Sequence, residues 1–293
     1  MLSSPEVATL GTTPAPAGRT GPGRIGDRLR AVGSHALLAV IGVACAFPIY
    51  WMYVTAFRRP SDVYSESLVP WPLSVQSYSD AAHLIDIPSL LLNTLTVAGV
   101  TAIGQLLTAL FAAYALARWR FRGQAIAYLL FVGTWLVPFQ VTMIPNYAVI
   151  VQFGLINTLA GVIVPNLTSA VAVLMLRQHL RSFPRELLEA AEMDGRSSWA
   201  TLWTVVVPNL RAALSALGML LFITAWNEYF WPAMILRGQT SVIQLGLQGF
   251  FSPEGIDWSA LMAAAGLACL PVFALYVVLQ RHIVSAFVRS GLR

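Results

Sequence analysis

Long apolar segments constrain the fold of this chain more than any other feature of its sequence. A helix needs about 20 predominantly apolar residues to cross the hydrocarbon core of a bilayer, which is about 30 Å thick. Six segments with few or no charged residues meet this requirement: His35–Phe57, Leu90–Ala117, Gln124–Ile144, Thr158–Leu176, Ala212–Trp231 and Ser259–Phe287. The chain is 57% hydrophobic and 11% charged, whereas soluble domains carry about 25% charged residues. The sequence therefore predicts an all-α integral membrane protein with six transmembrane helices.

Two stretches outside these segments have a different character. Residues 1–34 are rich in Pro, Gly, Thr and Arg and show no hydrophobic period, which is typical of a disordered tail. The stretch Asn146–Asn157 is apolar but short, and it is expected to be an interfacial helix or part of the loop between the third and fourth spans. We therefore expect a tail over residues 1–34 and a transmembrane domain over residues 35–293.

The distribution of arginine predicts the orientation of the helices. The chain has no lysine, and fifteen of its 18 basic residues lie in the N-terminal tail, in alternate loops and at the C-terminus. Only Arg58, Arg59 and Arg237 lie in the other loops. Because cytoplasmic loops carry the excess of basic residues, both termini are expected to be cytoplasmic. The net charge of +5 follows this topology, so it does not indicate nucleic-acid binding.

The cytoplasmic loop of residues 177–211 has a helical pattern of its own. Apolar Leu187, Leu188 and Ala191 fall on one face of a short helix, and charged residues fall on the other. Gly195 can end this helix in a left-handed conformation, and Ser197 or Ser198 can cap a second helix. Pro208 is expected to close that second helix. A second interpretation also remains open, in which the loop is only an amphipathic connection between two spans.

The spacing within this loop carries a resemblance. Glu189-Ala190-Ala191, then Gly195, then Val205-x-Val207-Pro208 resembles the Glu-Ala-Ala loop of permease subunits in ATP-binding-cassette importers, where the ending is usually Ile-x-Leu-Pro. The resemblance extends over roughly residues 47–293 and includes Ala225-Trp226-Asn227-Glu228-Tyr229-Phe230-Trp231-Pro232. The chain is similar to the second permease subunit of maltose and glycerol-3-phosphate importers, in the carbohydrate-uptake branch.

This resemblance implies a type I importer permease fold in a bacterial cytoplasmic membrane and a set of partners. The expected partners are a second homologous permease subunit, two copies of a cytoplasmic ATPase and an extracytoplasmic substrate-binding protein. ATP and Mg belong to the ATPase, and this chain is expected to hold no cofactor, since a Walker loop requires a lysine. The residues that the resemblance assigns to ATPase coupling are Glu189, Ala190, Ala191, Asp194, Gly195 and Pro208.

Polar side chains within the spans are candidates for the substrate pathway, because such groups are costly in lipid and tend to face a cavity or a partner. The candidates are Asn93, Gln140, Asn146, Trp226, Asn227, Glu228 and Tyr229. Amide and carboxylate groups with an aromatic ring suit a hydroxyl-rich solute. The alternative is that Asn227 and Glu228 are interfacial or bond neighbouring helices. A sugar is the favoured solute, and glycerol-3-phosphate or a glycerophosphodiester is the second candidate.

Two other classes of function remain to be weighed. An integral-membrane enzyme needs a nucleophile with its base, or metal ligands, and the sequence has neither His-Glu-x-x-His nor Gly-x-Ser-x-Gly. The four histidines show no metal-like spacing with cysteine or carboxylate residues, so no metal site is expected. An ion channel or secondary transporter would have no use for a docking loop. A transport subunit is therefore the leading hypothesis.

Overall fold

The computed structural model describes the backbone of residues 23–238, 240–253 and 255–290, and the side chains of residues 30–238, 240–253 and 255–281. Helices dominate the described chain. Their bounds are α1 Gly23–Ala56, α2 Gln76–Leu84, α3 Ile87–Arg118, α4 Gln124–Leu136, α5 Phe139–Gln152, α6 Leu159–Ile163, α7 Ala170–Arg181, α8 Arg185–Met193, α9 Ser198–Thr201, α10 Val207–Trp226, α11 Phe230–Ile235, α12 Ile243–Gly246 and α13 Trp258–Ser290. Strands β1 (Phe251–Ser252) and β2 (Gly255–Ile256) pair antiparallel. The chain divides into two compact units, the first ending at Tyr50 and the second starting at Trp51.

The N-terminal boundary differs from the prediction. Helix α1 begins at Gly23, so residues 23–34 are helical although they belong to the predicted tail. Hydropathy locates the apolar part of a helix, here Arg30–Ala56, and a helix can continue beyond that part into polar residues. The rest of the predicted tail, residues 1–22, lies outside the described residues.

In the part of the chain that the structure describes, four helical stretches are long and apolar enough to cross a membrane without a sharp bend, namely Arg30–Ala56, Ile87–Arg118, Ser198–Ile235 and Trp258–Arg281. Two further spans arise only if each of two bent helix pairs crosses once. The pair α4 and α5 bends by 97°, and the pair formed by Leu159–Asn166 and α7 bends by 42°. The structure is therefore consistent with the predicted six spans if each bent pair is one span, and two of the six are then broken.

The prediction of one continuous third span over Gln124–Ile144 is wrong. Pro138 has no N–H to donate and disfavours a helical conformation at the residue before it. Val137 accordingly takes an extended conformation with ψ 118°, and helix α5 starts immediately after Pro138. Asn146 consequently lies within α5, which ends at Gln152, rather than at the start of a separate interfacial helix or loop.

Helix α3 occupies the centre of the second unit. It packs against α7 and α10, and α10 packs against α13. Its buried residues include Ala98, Ala102, Ala109 and Ala113, and such small side chains allow neighbouring helices to approach closely. The helix starts after Asp86, where hydrogen bonds from the side chain and backbone N–H of Ser89 lower the pKa of the Asp86 carboxyl. The core is therefore built around the second predicted span.

Thr94 on α3 supports a distant segment through its hydroxyl. Thr94 Oγ1 accepts a hydrogen bond from the Ile243 backbone N–H at 2.8 Å and donates to the Leu90 carbonyl oxygen at 2.7 Å. The Thr94 side chain is 2% exposed and Ile243 is fully buried. Thr94→Val is therefore expected to leave a buried N–H unsatisfied and to lower the free energy of unfolding by about 1–3 kcal/mol.

Thermal unfolding of the detergent-solubilised chain measures this loss. Thr96→Val is the matched control, because the Thr96 hydroxyl is exposed and bonds only within its own helix, to the Leu92 carbonyl oxygen. Equal melting temperatures for the two variants would contradict the expected role of Thr94.

Candidate functional site

Helix α8 in the loop of residues 177–211 ends as the sequence predicts. Gly195 has φ +71°, a conformation that glycine adopts without steric cost. The Arg196 N–H donates to the Ala191 carbonyl oxygen at 3.0 Å, and the Gly195 N–H donates to the Glu192 carbonyl oxygen at 2.9 Å. These two hydrogen bonds form a Schellman motif, which satisfies the last carbonyl groups of the helix. The end of α8 is therefore sharply defined by its own backbone.

The second helix of the loop starts as predicted but does not stop at Pro208. The Ser197 hydroxyl accepts a hydrogen bond from the Ala200 N–H at 3.2 Å and caps α9. Residues Leu202–Val206 form a π-helical turn, and α10 continues from it through Pro208 to Trp226. A π-helical turn shifts the hydrogen-bond pattern by one residue, which lets the chain pass a proline without a break. The prediction that Pro208 closes this helix is wrong.

Several contacts tie this region to helix α3. The Arg118 guanidinium forms an ion pair with the Glu192 carboxylate. The Tyr114 hydroxyl donates to the Ser198 carbonyl oxygen at 3.2 Å. The ring of Phe111 lies 5.6 Å from that of Trp199, between ring centroids. These contacts couple α8 and the start of the next helix to the C-terminal half of α3.

The outward face of α8 carries exposed apolar side chains, of which Met193 was not named from the sequence. Ala191 is 3% exposed and packs inward, whereas Leu187 is 41% and Met193 89% exposed. Ala190, between them in sequence, is also exposed. The sequence placed Leu187 and Leu188 on one apolar face with Ala191, and of these three residues only Ala191 is buried. Exposed apolar groups spaced by three residues share one side of a helix, and the spacing Leu187, Ala190, Met193 could have revealed this face.

A small crevice of about 80 Å³, lined by both apolar and polar residues, opens beside the middle of α3. Its lining residues are Val97, Thr101, Gln105, Val162, Asn166, Thr224, Ala225 and Glu228. The Gln105 amide N–H donates to the Asn166 carbonyl oxygen at 2.8 Å, and the buried Thr101 hydroxyl has no hydrogen-bond partner among the described residues. Only Glu228 was predicted. The signal for Gln105 and Asn166 was present, since both are amides within predicted spans.

The predicted residues Asn227, Glu228 and Tyr229 form the break between α10 and α11. The Glu228 carboxylate accepts hydrogen bonds from the N–H groups of Phe230 and Trp231 at 3.0 and 3.1 Å. It therefore starts α11 in the way that an acidic side chain caps a helix. The Asn227 amide donates to the Ile223 carbonyl oxygen at 2.9 Å. Both side chains thus have structural partners, which favours the alternative considered for them from the sequence.

The two aromatic candidates, Trp226 and Tyr229, differ in their exposure. Trp226 is 3% exposed and stacks on Phe222 with ring centroids 5.6 Å apart. Its ring is therefore not open to a solute, in contrast to the prediction. Tyr229 is 39% exposed, and its hydroxyl oxygen accepts a hydrogen bond from the Gln248 amide. Of the two aromatic candidates, Tyr229 is consequently the accessible one.

The remaining pathway candidates lie apart from the crevice lining. The Asn93 amide donates to the Ser241 carbonyl oxygen at 2.9 Å, so it holds the segment before α12. Gln140 is exposed and Asn146 half-buried on α5. The ring of Phe139, the neighbour of Gln140, packs edge-on against the ring of Trp231 at 6.0 Å. Helix α5 therefore lies beside α11, near the break that contains Glu228.

The long apolar helices mark this chain as an integral-membrane protein. The family of binding-protein-dependent transport system inner membrane components matches residues 81–289, and the chain belongs to this family. The predicted resemblance to importer permeases and the inner-membrane location are thereby confirmed. The family is one of transport components rather than enzymes.

Individual relatives agree with this assignment. The chain is 30% identical over 268 residues to the sn-glycerol-3-phosphate transport system permease protein UgpE of Rhizobium meliloti (strain 1021), covering 87% of this chain and 95% of the relative. The corresponding protein of Agrobacterium fabrum is 29% identical over 88% of this chain and 95% of its own length. A solved bacterial ABC transporter involved in the import of the acidic polysaccharide alginate has a similar fold, with TM-score 0.77 and 22% identity over 88% of this chain and 98% of that one. The predicted permease fold is confirmed.

Proposed function

We propose that this permease subunit moves a neutral or amino sugar into the cell, driven by ATP hydrolysis in separate ATPase subunits. The crevice beside α3 supports this choice of solute. Among the described residues its lining holds amides, hydroxyls and the Glu228 carboxylate, and no arginine. Hydroxyl groups of a sugar match such donors and acceptors, whereas a phosphate favours arginine.

The second candidate is sn-glycerol-3-phosphate or a glycerophosphodiester. The name of the UgpE relatives supports it, since these permeases belong to sn-glycerol-3-phosphate transport systems. The Glu228 carboxylate in the crevice argues against an anionic solute, because like charges repel in a medium of low dielectric constant. The charge of the lining therefore favours the sugar over the phosphate ester.

The partners proposed are a second homologous permease, two copies of a cytoplasmic ATPase that binds ATP and Mg, and an extracytoplasmic substrate-binding protein. The observation that carries the coupling role is the exposed helix α8, whose end is fixed at Gly195 and which is paired to α3 through Arg118 and Glu192. Glu189, Ala190 and Asp194 are exposed on or next to this helix. A rigid helix of this kind transmits a rigid-body displacement from a bound partner.

A continuous stretch of helix connects the region of α8 to the crevice. Residues 198–226 run without interruption through α9, the π-helical turn and α10, over a length of about 40 Å. Thr224, near its end, lines the crevice together with Thr101 and Gln105 of α3. Both helices that contact α8 or its connection therefore reach the proposed solute pathway, so a displacement of α8 would change the crevice.

Reconstitution with the partner ATPase and the binding protein tests this function. Stimulation of ATP hydrolysis would be measured with neutral sugars, amino sugars and sn-glycerol-3-phosphate. We expect a sugar to stimulate hydrolysis and Thr101→Val to reduce that stimulation, while Thr96→Val leaves it unchanged. Stimulation by sn-glycerol-3-phosphate alone would establish the second candidate instead, and failure of the ATPase to bind would refute the importer assignment.

The ion pair between Arg118 and Glu192 should couple the two helices. Arg118→Gln and Glu192→Gln are each expected to lower solute-stimulated ATP hydrolysis, and the double variant should be no worse than either single one, because both remove the same contact. The effect on stability should be small, at most about 1 kcal/mol, since the Glu192 side chain is 55% exposed. Arg211→Gln, at an exposed arginine, is the control. Additive losses of hydrolysis in the double variant would contradict this coupling.

A further inference from the structure

A second and larger cavity lies at the opposite end of α3 from Asn93. Its volume is about 530 Å³, and it opens between the last turn of α3, the start of α4, the end of α7 and helix α8. Five arginines line it and face a single carboxylate, that of Glu189; the arginines are Arg118, Arg120, Arg177, Arg181 and Arg185. The polar groups of the crevice described above are not part of this cavity. It is therefore a separate and strongly basic site.

Two of these arginines have hydrogen-bonding capacity left over. The Nε atoms of Arg118 and Arg177 are buried and have no hydrogen-bond partner among the described residues. The Arg118 guanidinium is paired elsewhere with Glu192, and the Arg177 guanidinium carbon lies 4.1 Å from the ring centroid of Tyr128. A buried N–H group without a partner is costly. Both Nε atoms are closed off from solvent, so a ligand in the cavity would be held by the outer guanidinium nitrogens of the arginines that line it.

The position of the cavity restricts the source of that ligand. The apolar span Ile87–Arg118 ends at the cavity, and Trp119, which is 45% exposed, belongs to its wall. Tryptophan is enriched at the level of the lipid headgroups. Leu116, Phe183 and Leu188 add apolar surface to the same wall. Basic pockets between helices on the cytoplasmic side are suited to anionic lipid headgroups.

We propose that this arginine-lined cavity binds a phosphate group, either of an anionic lipid headgroup or of free phosphate. Arginine donates parallel hydrogen bonds to phosphate oxygens, and Arg177 together with Arg181 supplies donors from two positions on α7. The bound phosphate would lie between α3, α4, α7 and helix α8, where it offsets the charge of the arginines; among the described residues only Arg118 of the five has an ion pair, with Glu192. This site shares no lining residue with the crevice, although Arg118 and Glu189 also belong to the proposed coupling region.

Thermal unfolding of the full chain in phosphatidylcholine nanodiscs tests the site with two probes. One series replaces part of the phosphatidylcholine by phosphatidylglycerol, and the other adds inorganic phosphate to pure phosphatidylcholine discs. We expect a saturable rise in melting temperature, because a ligand that binds only the folded state stabilises it. A rise with phosphatidylglycerol alone identifies a lipid headgroup, and a rise with inorganic phosphate as well identifies free phosphate as sufficient.

Substitutions distinguish phosphate binding in the cavity from general electrostatic attraction to a basic surface. Arg177→Gln is expected to weaken apparent binding about tenfold or more. The double variant Arg181→Gln/Arg185→Gln should weaken it too, and it changes only exposed side chains, so folding is preserved. Arg211→Gln removes one charge from an exposed arginine outside the cavity and should bind as the unmodified chain does.

Three results would overturn the proposal. The first is the absence of a saturable rise with either probe. The second is equal binding by the cavity variants and Arg211→Gln, which would show attraction to surface charge alone. The third is an Arg177-dependent rise that only the partner ATPase produces, which would make the cavity a contact for an acidic protein segment.

Discussion

Replacing Gly195 by proline is expected to abolish transport while the protein still inserts into the membrane. Proline fixes φ near −65°, whereas Gly195 has φ +71°. The substitution also removes the N–H that donates to the Glu192 carbonyl oxygen at 2.9 Å. With a local cost of about 3 kcal/mol or more, α8 cannot end where it does, and the segment that joins it to α9 must take another path. Uptake and ATPase association would be measured alongside the amount of protein in the membrane.

Two further substitutions at this position separate backbone strain from side-chain bulk. A side chain at Gly195 would meet no heavy atom within 4 Å of its Cβ, so space is not the constraint. Gly195→Asn should retain most transport, because asparagine tolerates the left-handed region, and Gly195→Ala should be intermediate. Unimpaired uptake by the proline variant would contradict the proposed role of α8 in coupling the ATPase to transport. Loss with asparagine equal to that with proline would show that side-chain bulk matters after all.

Met193→Glu is expected to prevent association with the ATPase without affecting the fold of this chain. Met193 is 89% exposed at the end of α8, so a change there disturbs no core packing. A large exposed apolar side chain on a docking helix is suited to fill a partner's pocket, and the loss of such an anchor costs about 2 kcal/mol or more in binding. This corresponds to a roughly 30-fold weaker complex, and a carboxylate in an apolar pocket would weaken it further.

The measurement is the dissociation constant of the purified permease and its ATPase, with melting temperature as the check on folding. Leu73→Glu is the matched control, because it makes the same kind of change at an exposed apolar residue, 65% exposed, in a loop far along the chain from α8. It should leave ATPase binding unaltered. If Met193→Glu bound the ATPase as tightly as Leu73→Glu, the outward face of α8 would not be the docking surface.

Local sequence signals determined the features that depend on a few neighbouring residues. Gly195 ends α8, and Ser197 caps α9, because each acts on backbone groups within about one turn. Pro138 and Pro208 show the limit of such local signals, because a proline had different effects at the two positions. Pro138 breaks the third span by acting on the residue before it, whereas a π-helical turn over Leu202–Val206 carries the chain past Pro208. A proline alone does not reveal which outcome a helix will take.

The pathway residues show the same limit over longer distances. The crevice joins Gln105 of α3 to Asn166 and Thr224, which are far apart in sequence, and no single segment indicates that they meet. Trp226 and Tyr229 are close in sequence and both aromatic, yet one is buried against Phe222 and the other is accessible. Hydropathy could not separate them, since it records what a residue is and not what packs against it.

The sequence by itself determined that this chain is a membrane protein with six apolar segments, that it carries a short helix ended by Gly195, and that it resembles importer permeases. These properties follow from apolar length and local spacing, which the chain carries without reference to its packing. The tertiary structure alone decided that α8 is paired to α3 through Glu192 and Arg118, that Met193 faces outward, and that five arginines enclose one cavity. Each of these depends on which helices lie side by side, and that is set by the packing of the whole bundle.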